Sequence, residues 1–488
     1  MIYPKKIPNW IDGREVFFKR KSSQILKKNP TDGTELGYIS SINKEEIDSV
    51  ITVALKKFKI WSNTSVVSRG ELLKKTAMQM LLKKNEIAHI VRLETGKSMH
   101  DALLEVDGAI ELGFFIAGEG RRFYGKTAPS AMPNRFAMTL RQPAGVAALI
   151  VPFNTPIANV AWKSFPALLC GNTVVLKASK DTPYTPIWFA KILKEAGVPS
   201  GIFNVIQGLG EEVGEALIHN RRVDLISFTG STETGKHIQK VAADRLVKIS
   251  LELGGKNALV VCDDCDINAA VEWSILSAFS NAGQRCAAGS RIIVFEKVYE
   301  VFKKIFIKKT EELKIGSSDT DDLGPVINGN QLSKMINILT KAKNDGISVL
   351  TGGFRIQDKK YRGGFFLAPT ILENALPDSE ISTCELFGPI TSLYKVKNFN
   401  QALDMTNNSP FGLTAAIHTK NINRVQEFIN HAEVGVVSVN GPTYGSEPHM
   451  PFGGLKQSGT GWREPGVEAL NFYSQWKTIY VKHNPKEV

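Results

Sequence analysis

The sequence predicts an α/β fold built on doubly wound parallel sheets. From residue 143 onward, short apolar segments alternate with helical patterns, the order expected when each strand is followed by a covering helix. The apolar segments are continuous, as in 145–151 (GVAALIV), which suits strands buried on both faces. The same alternation resumes after residue 254, so the chain holds two such units.

The elements follow in order. After a short β-like start, Asn43 and Glu46 form a capping-box pair ahead of Ile47, Val50, Ile51, Ala54, Leu55 and Phe58 at helical spacing. A long helical pattern covers about 68–94 and stops at Gly96, and another runs from about Ser98 to Gly118. Past the 145–151 strand, a helical stretch closes at 166–170 and 173–177 (TVVLK) reads as a strand. Asp181 and Thr182 are placed to cap the next helix, which runs to Ala196 and stops at Gly197. Strands at 203–206 and 224–228 flank a helix at 211–219, and Gly230-Ser231 opens a helix reaching about Ala243. In the second unit, strands are expected at 258–261, 291–295, 391–396, 415–418 and 435–439, with helices at 267–279 and up to about Leu313. The stretches 122–141 and 471–482 fit neither unit; their β-prone residues (Phe136, Met138, Leu140, Ile479, Tyr480, Val481) read as edge strands or as arms that pair with another subunit.

Composition excludes several classes. With 488 residues, 43% hydrophobic and 22% charged, the chain buries a core without disulfide or metal staples. The net charge of +12 comes from pairs such as Lys74-Lys75, Lys83-Lys84 and Lys308-Lys309, spread along helices and mixed with Glu. No basic block marks a nucleic-acid tail, so the charge bears on solubility and on attraction of anionic ligands. Five cysteines are few and odd in number, which argues against a disulfide framework. The start lacks a signal-peptide core, and no apolar run approaches the ~20 residues of a membrane span, so a cytoplasmic protein is expected. Cys262-Asp-Asp-Cys265 has no second ligand pair and the eight histidines show no HExxH, so no metal site is expected.

Four segments carry candidate chemistry. Gly208-Leu-Gly210-Glu-Glu-Val-Gly214 resembles a dinucleotide-binding turn, but its last glycine comes one residue late. In 281–291 (NAGQRCAAGSR), Cys286 sits among small residues between a helix and a strand; this suits a nucleophile open to substrate, or a buried structural cysteine. In LELGGKN, Glu252 stands at a strand end before glycines, a position for a base or for a solvated charge. Phe153, Asn154 and Thr155 follow the GVAALIV strand, where open α/β sheets bind ligands or where prolines merely fix a turn.

Taken together, PFN-x-P at 152–156, LK-x-S at 176–179, FTGSTETG at 228–235, LELGGKN at 251–257, GQ-x-C at 283–286, E-x-FGP at 385–389 and PFGG at 451–454 resemble the aldehyde dehydrogenase superfamily, in order and spacing, over nearly the whole chain. The resemblance implies Cys286 as nucleophile: its thiolate adds to the aldehyde, and the resulting oxyanion drives hydride onto a nicotinamide. It implies Asn154 and the Cys286 N–H as oxyanion donors, and Glu252 as the base that activates water against the thioester. Glu464 matches a second, proton-relaying glutamate, aligned through a one-residue insertion, because SGTGWRE is longer than the commoner SGxGRE.

For the cofactor, NAD or NADP, the resemblance implies Gly230 and Ser231 at a pyrophosphate-binding helix start, Gly210 and Gly214 on the adenine side, Lys177 at the adenosine ribose, and Glu385 with Phe387 at the nicotinamide ribose. Where NAD-preferring members often carry Glu, this chain has Lys180. An ammonium accepts no hydrogen bond but attracts phosphate, so NADP acceptance is expected. The substrate pocket is expected to include Phe153, Thr155, Asn159, Trp162, Arg285 and Phe452, and its polar mouth fits a small aldehyde or semialdehyde. Arg285 either binds a substrate carboxylate, lowers the Cys286 pKa, or faces away.

The implied fold has a Rossmann-like cofactor domain (1–121 and 144–254), an α/β catalytic domain (255–455) and an oligomerisation arm with its C-terminal strand (122–143 and 471–488). A homodimer or homotetramer is implied. The alternatives are a CoA-acylating relative, against which Glu252 argues, and a catalytically silent binding protein of the same fold.

Overall fold

The computed structural model describes residues 3–18 and 24–487; Met1, Ile2, residues 19–23 and Val488 lie outside the described residues. Two seven-stranded sheets organise the chain. The first runs, edge to edge, Lys248–Glu252, Leu225–Thr229, Val146–Ile150, Thr173–Lys177, Phe203–Ile206, Asn9–Ile11 and Arg14–Val16. Its first five strands are parallel, and the N-terminal hairpin closes the far edge antiparallel. Every residue of Val146–Ile150 is buried, as its unbroken apolar run requires. From this strand the chain proceeds to 173–177 and 203–206 on one side, then returns to 225–229 on the other. Loops after neighbouring strands therefore diverge there, leaving a crevice at the strands' C-terminal ends. Asn154 follows one of these strands and Gly230 the other.

The second sheet is ordered Ser348–Thr351, Thr370–Glu373, Ile390–Val396, Gly289–Phe295, Asn257–Val261, Thr414–His418 and Val436–Val439, parallel apart from its first strand. The expected strands and the 267–279 helix fall on observed elements. The capping box is present, with Asn43 Oδ1 accepting from the Glu46 N–H at 2.9 Å and Glu46 Oε2 accepting from the Asn43 N–H at 2.8 Å.

Four local expectations are corrected. The 68–94 pattern is two helices, Val66–Leu82 and Lys84–Thr95, broken at Lys83 (φ −104°, ψ 17°). Leu73, Ala77, Met80, Ile87 and Val91 are buried on both sides of the break, so helical spacing runs through it and hides it. Helix Thr185–Glu195 begins later than Asp181 and carries no cap from its own segment. Its start is instead held by Glu94, whose carboxylate accepts from the N–H groups of Tyr184 (2.7 Å) and Thr185 (3.1 Å). The 211–219 helix opens as a wide turn, Gly210–Gly214, before the short Glu215–Ile218 helix. The two unplaced β-like stretches are edges of neither large sheet: Ser474–Lys482 pairs antiparallel with Arg135–Pro143, which pairs with Thr127–Pro129 in a separate three-stranded sheet.

Candidate active site

The Cys286 loop is held by strain and by side-chain anchors. Three successive residues, Asn281, Ala282 and Gly283, take left-handed backbone angles (φ 55°, 53° and 65°). For Ala282 such an angle costs about 1–3 kcal/mol and persists only where its surroundings enforce it. Asn281 Nδ2 donates to the Gln284 and Asn154 carbonyls, both at 3.2 Å. Gln284 bonds the Pro325 carbonyl (3.3 Å) and the Ile327 N–H (2.9 Å). A Cβ on Gly283 would lie 2.1 Å from the Gly388 carbonyl oxygen, so glycine lets this loop press against the E-x-FGP loop. Asn257 Nδ2 binds the carbonyls of Cys286 (2.8 Å) and Ala288 (2.9 Å), and Thr443 Oγ1 binds that of Ala287 (2.7 Å). With all three carbonyls committed, the loop cannot rotate freely about the cysteine.

Asn154 is fixed from both ends. Its carbonyl accepts from Lys97 Nζ at 3.0 Å as well as from Asn281. Its Oδ1 faces Asn159 Nδ2 at 3.4 Å, while Asn159 also donates to the Thr155 carbonyl and hydroxyl, both at 2.9 Å. With Oδ1 on that side, Nδ2 of Asn154 is left as a donor with no protein acceptor among the described residues. Lys97 is paired to Glu105 (2.6 Å), whose other oxygen receives the Ile157 N–H at the start of helix Pro156–Leu169. Sequence reasoning did not single out Lys97, Glu105, Asn257 or Asn281; their contacts cross 29 to 127 residues and leave no local pattern.

Glu252 is 7% exposed, and neither carboxylate oxygen has a hydrogen-bond partner among the described residues. Burial, and then the nearby Glu464, push its carboxyl well above the usual range, opposed by Lys163 and Arg463. Cys286 is partly exposed; burial, then the charges of Glu385 and Glu252, push its thiol up to about 12. Glu464, 1% exposed, sits inward despite the extra residue in SGTGWRE. Its oxygens meet Lys163 Nζ (2.9 Å), Tyr473 Oη (2.7 Å) and Ser227 Oγ (3.1 Å), and Lys163 also donates to Ser227 (2.7 Å).

The dinucleotide candidates line the crevice of the first sheet. Lys177 ends its strand buried, and its ammonium donates to no protein group among the described residues; burial lowers it to about 8, opposed by Glu211 and Asp181. Lys180 is exposed three residues on, and its charge acts on Lys177. A Cβ on Gly210 or Gly214 would meet nothing within 4 Å. Past Gly230, Ser231 caps helix Thr232–Ala243, its Oγ accepting from the Thr234 N–H at 3.3 Å, and the Thr232 hydroxyl is buried without a partner. An unmatched ammonium on a mostly buried side chain, an open glycine turn and a helix start above one crevice fit a dinucleotide's phosphates and ribose. Glu385 lies across the crevice, accepting from the Gly255 N–H at 3.3 Å, its carboxyl raised by burial to about 7. A Cβ on Gly254 would fall 1.9 Å from a Glu385 oxygen. Phe387 (φ 53°) meets Phe153 edge-on at 5.7 Å.

On the cysteine's other side, Trp162 and Phe452 meet edge-to-face at 5.9 Å and pack with Leu413, Ala287, Tyr444 and Cys286 itself. Arg285 lays its guanidinium over the Tyr444 ring (4.6 Å) and donates from Nε to Ser280 Oγ (3.1 Å). A separate cavity of about 560 Å³, lined by Leu313, Asp321, Phe354 and Tyr361, holds none of the candidate residues. Among the described residues, no three His, Cys, Asp or Glu groups cluster to hold a metal, and no helix is long and apolar enough to cross a membrane.

A partly exposed thiol, an amide donor and an unpartnered carboxyl beside the first sheet's crevice are the groups that a thiol-dependent oxidoreductase needs. The model of the aldehyde dehydrogenase family matches residues 17–479. The chain is 37% identical to the alpha-ketoglutaric semialdehyde dehydrogenase of Bacillus subtilis, over 97% of this chain and 98% of that one. It is also 37% identical to the 2,5-dioxopentanoate dehydrogenase of Saccharolobus solfataricus, over 95% and 97%. Betaine aldehyde dehydrogenase from Staphylococcus aureus, solved in complex with NAD+, superposes with a TM-score of 0.95 at 32% identity, covering 98% of this chain and 95% of that one. The chain belongs to the aldehyde dehydrogenase family.

Proposed function

We propose that this NAD(P)-dependent aldehyde dehydrogenase oxidises a small semialdehyde to the carboxylic acid, with Cys286 as nucleophile. The observation that carries the reading is the Asn281 amide, which joins the Cys286 loop to the carbonyl of Asn154 at 3.2 Å and so holds thiol and oxyanion donor in one frame. The partly exposed Cys286 thiol gives up its proton to solvent, its thiolate adds to the aldehyde carbon, and Asn154 Nδ2 with the Cys286 N–H receives the oxyanion, each such donor being worth ~3–4 kcal/mol. The coenzyme, when bound, accepts the hydride. Glu252 then takes a proton from the water that cleaves the thioester. Glu464, on Lys163 and close enough to raise the Glu252 pKa, receives that proton in turn.

The named substrates of the relatives support a semialdehyde, as does Arg285, a cation beside the nucleophile and stacked on the pocket's Tyr444. Lys177, Lys180, Gly210, Gly214, Gly230, Ser231, Glu385 and Phe387 hold the coenzyme in this reading. Two ammonium groups at the adenosine end support acceptance of NADP. The domain reading is 1–121 with 144–254 for coenzyme, 255–455 for catalysis, and 122–143 with 471–488 for assembly. A cytoplasmic homodimer or homotetramer is supported by five unpaired cysteines and by exposed Phe136, Leu140, Trp476 and Tyr480 on the three-stranded sheet.

Assays of succinic, alpha-ketoglutaric and uncharged aldehydes with each coenzyme, without CoA, test the proposal. Acid and reduced coenzyme are expected, semialdehydes having the highest kcat/KM, and Cys286→Ala inactive. A requirement for CoA, or activity that survives Cys286→Ala, would reject it; a large NAD preference would reject the Lys180 reading alone.

A further inference from the structure

Lys27 lies far from Cys286 in sequence and takes no part in the chemistry above. It sits on strand Gln24–Lys28, 3% exposed, at a register shift in the pairing with Glu35–Ser40. Its Nζ donates to the Glu94 carbonyl at 2.7 Å. That carbonyl belongs to the last turn of helix Lys84–Thr95, where carbonyls lack intrahelical donors and the helix dipole favours a cation. The side chain of the same Glu94 caps the next helix through the Tyr184 and Thr185 N–H groups, and also receives the Thr185 hydroxyl (2.6 Å) and Tyr3 Oη (2.6 Å). Four donors on two oxygens favour the carboxylate form, against burial, which raises the Glu94 pKa.

The segment between the Lys177 strand end and this capped helix is 178–184, which carries Lys180. Asp181 within it accepts from Asn328 Nδ2 of the second unit at 3.1 Å. Asp181 and Glu94 are the acidic groups whose charges act on Lys27, and Asp181 acts on Lys177 as well. An interior ammonium, lowered by burial to about 8, thus sits on the carbonyl of the residue that caps the far end of 178–184 and feels the charge of Asp181 within that segment.

We infer that Lys27 is a positioning residue for the coenzyme: a built-in cation that, through Glu94 and Asp181, sets the loop 178–184 and with it Lys177 and Lys180. The inference rests on the reading of that loop as the adenosine side.

The test measures coenzyme dissociation constants by tryptophan quenching without aldehyde, alongside kcat at saturating coenzyme, for Lys27→Met, Lys27→Ala, Asp181→Asn and Lys177→Met in the full chain. Lys27→Met is expected to weaken coenzyme binding about tenfold with kcat within about twofold. Ammonium chloride is expected to restore Lys27→Ala, whereas tetramethylammonium chloride at equal ionic strength is not. Should the Lys27 variants fail to fold, Asp181→Asn carries the test, with a several-fold weakening expected. Unchanged affinity in Lys27→Met, or in Asp181→Asn when it stands alone, overturns the inference if Lys177→Met still weakens binding. Unchanged affinity in Lys177→Met as well overturns the adenosine-side reading beneath it.

Discussion

Both oxygens of Glu252 are unpartnered and burial favours its protonated form, so glutamine in its place leaves the resting site nearly intact. What it removes, in the proposed mechanism, is water activation. Glu252→Gln is expected to give a burst of reduced coenzyme close to one per site, followed by a steady rate lower by roughly 10²–10⁴; stopped-flow absorbance checks this. Asn154→Ala removes a donor instead, and is expected to lower kcat by about 10²–10³ without a burst. The raised carboxyls also set the pH dependence. In the proposed binding mode Glu385, protonated below about 7, accepts ribose hydroxyls more strongly when ionised, so coenzyme affinity is expected to rise as pH passes upward through that value. Glu252 is raised as well, first by burial and then by Glu464, and takes a proton only when ionised, so kcat also rises with pH. A pH series of coenzyme binding should lose its inflection near 7 in Glu385→Gln. At this scale the sequence offers candidates where chemistry demands a residue type, as at Cys286, Asn154 and Glu252. It was silent on Lys97, Asn257 and Asn281, which serve by distant contacts open to many residue types.

At the scale of elements, the loop around Cys286 shows how local geometry is set by its neighbours. Gly283 combines a positive φ with a carbonyl 2.1 Å from any Cβ. Gly283→Ala is expected to destabilise the fold by at least ~2 kcal/mol and to lower kcat at least tenfold, read by thermal denaturation and steady-state assay. Strands buried on both faces were legible because burial leaves an unbroken apolar run. The break at Lys83 was not, since periodicity continues through it. The cap at Tyr184 was not legible either, since its acceptor, Glu94, lies some ninety residues earlier.

For the whole molecule, the three-stranded sheet is the part to which the proposal assigns assembly. Nine residues of Ser474–Lys482 pair with Arg135–Pro143, and the outer side chains include Trp476 and Tyr480. Ending the chain after Tyr473 is expected to yield a smaller species by sedimentation velocity and a lower thermal midpoint; an unchanged sedimentation coefficient would assign assembly to another surface. Strand content in both partners was readable from β-prone residues, but the pairing across more than three hundred positions was not.

Lys163 is buried in the first half of the chain, and its carboxylate partner arrives 301 residues later. While the polypeptide is still being made, that ammonium has the Ser227 hydroxyl within reach (2.7 Å) but not yet its carboxylate. A first half made without the segment carrying Glu464 and Tyr473 is therefore expected to be less stable than the same half within the full chain, which thermal denaturation of the two checks.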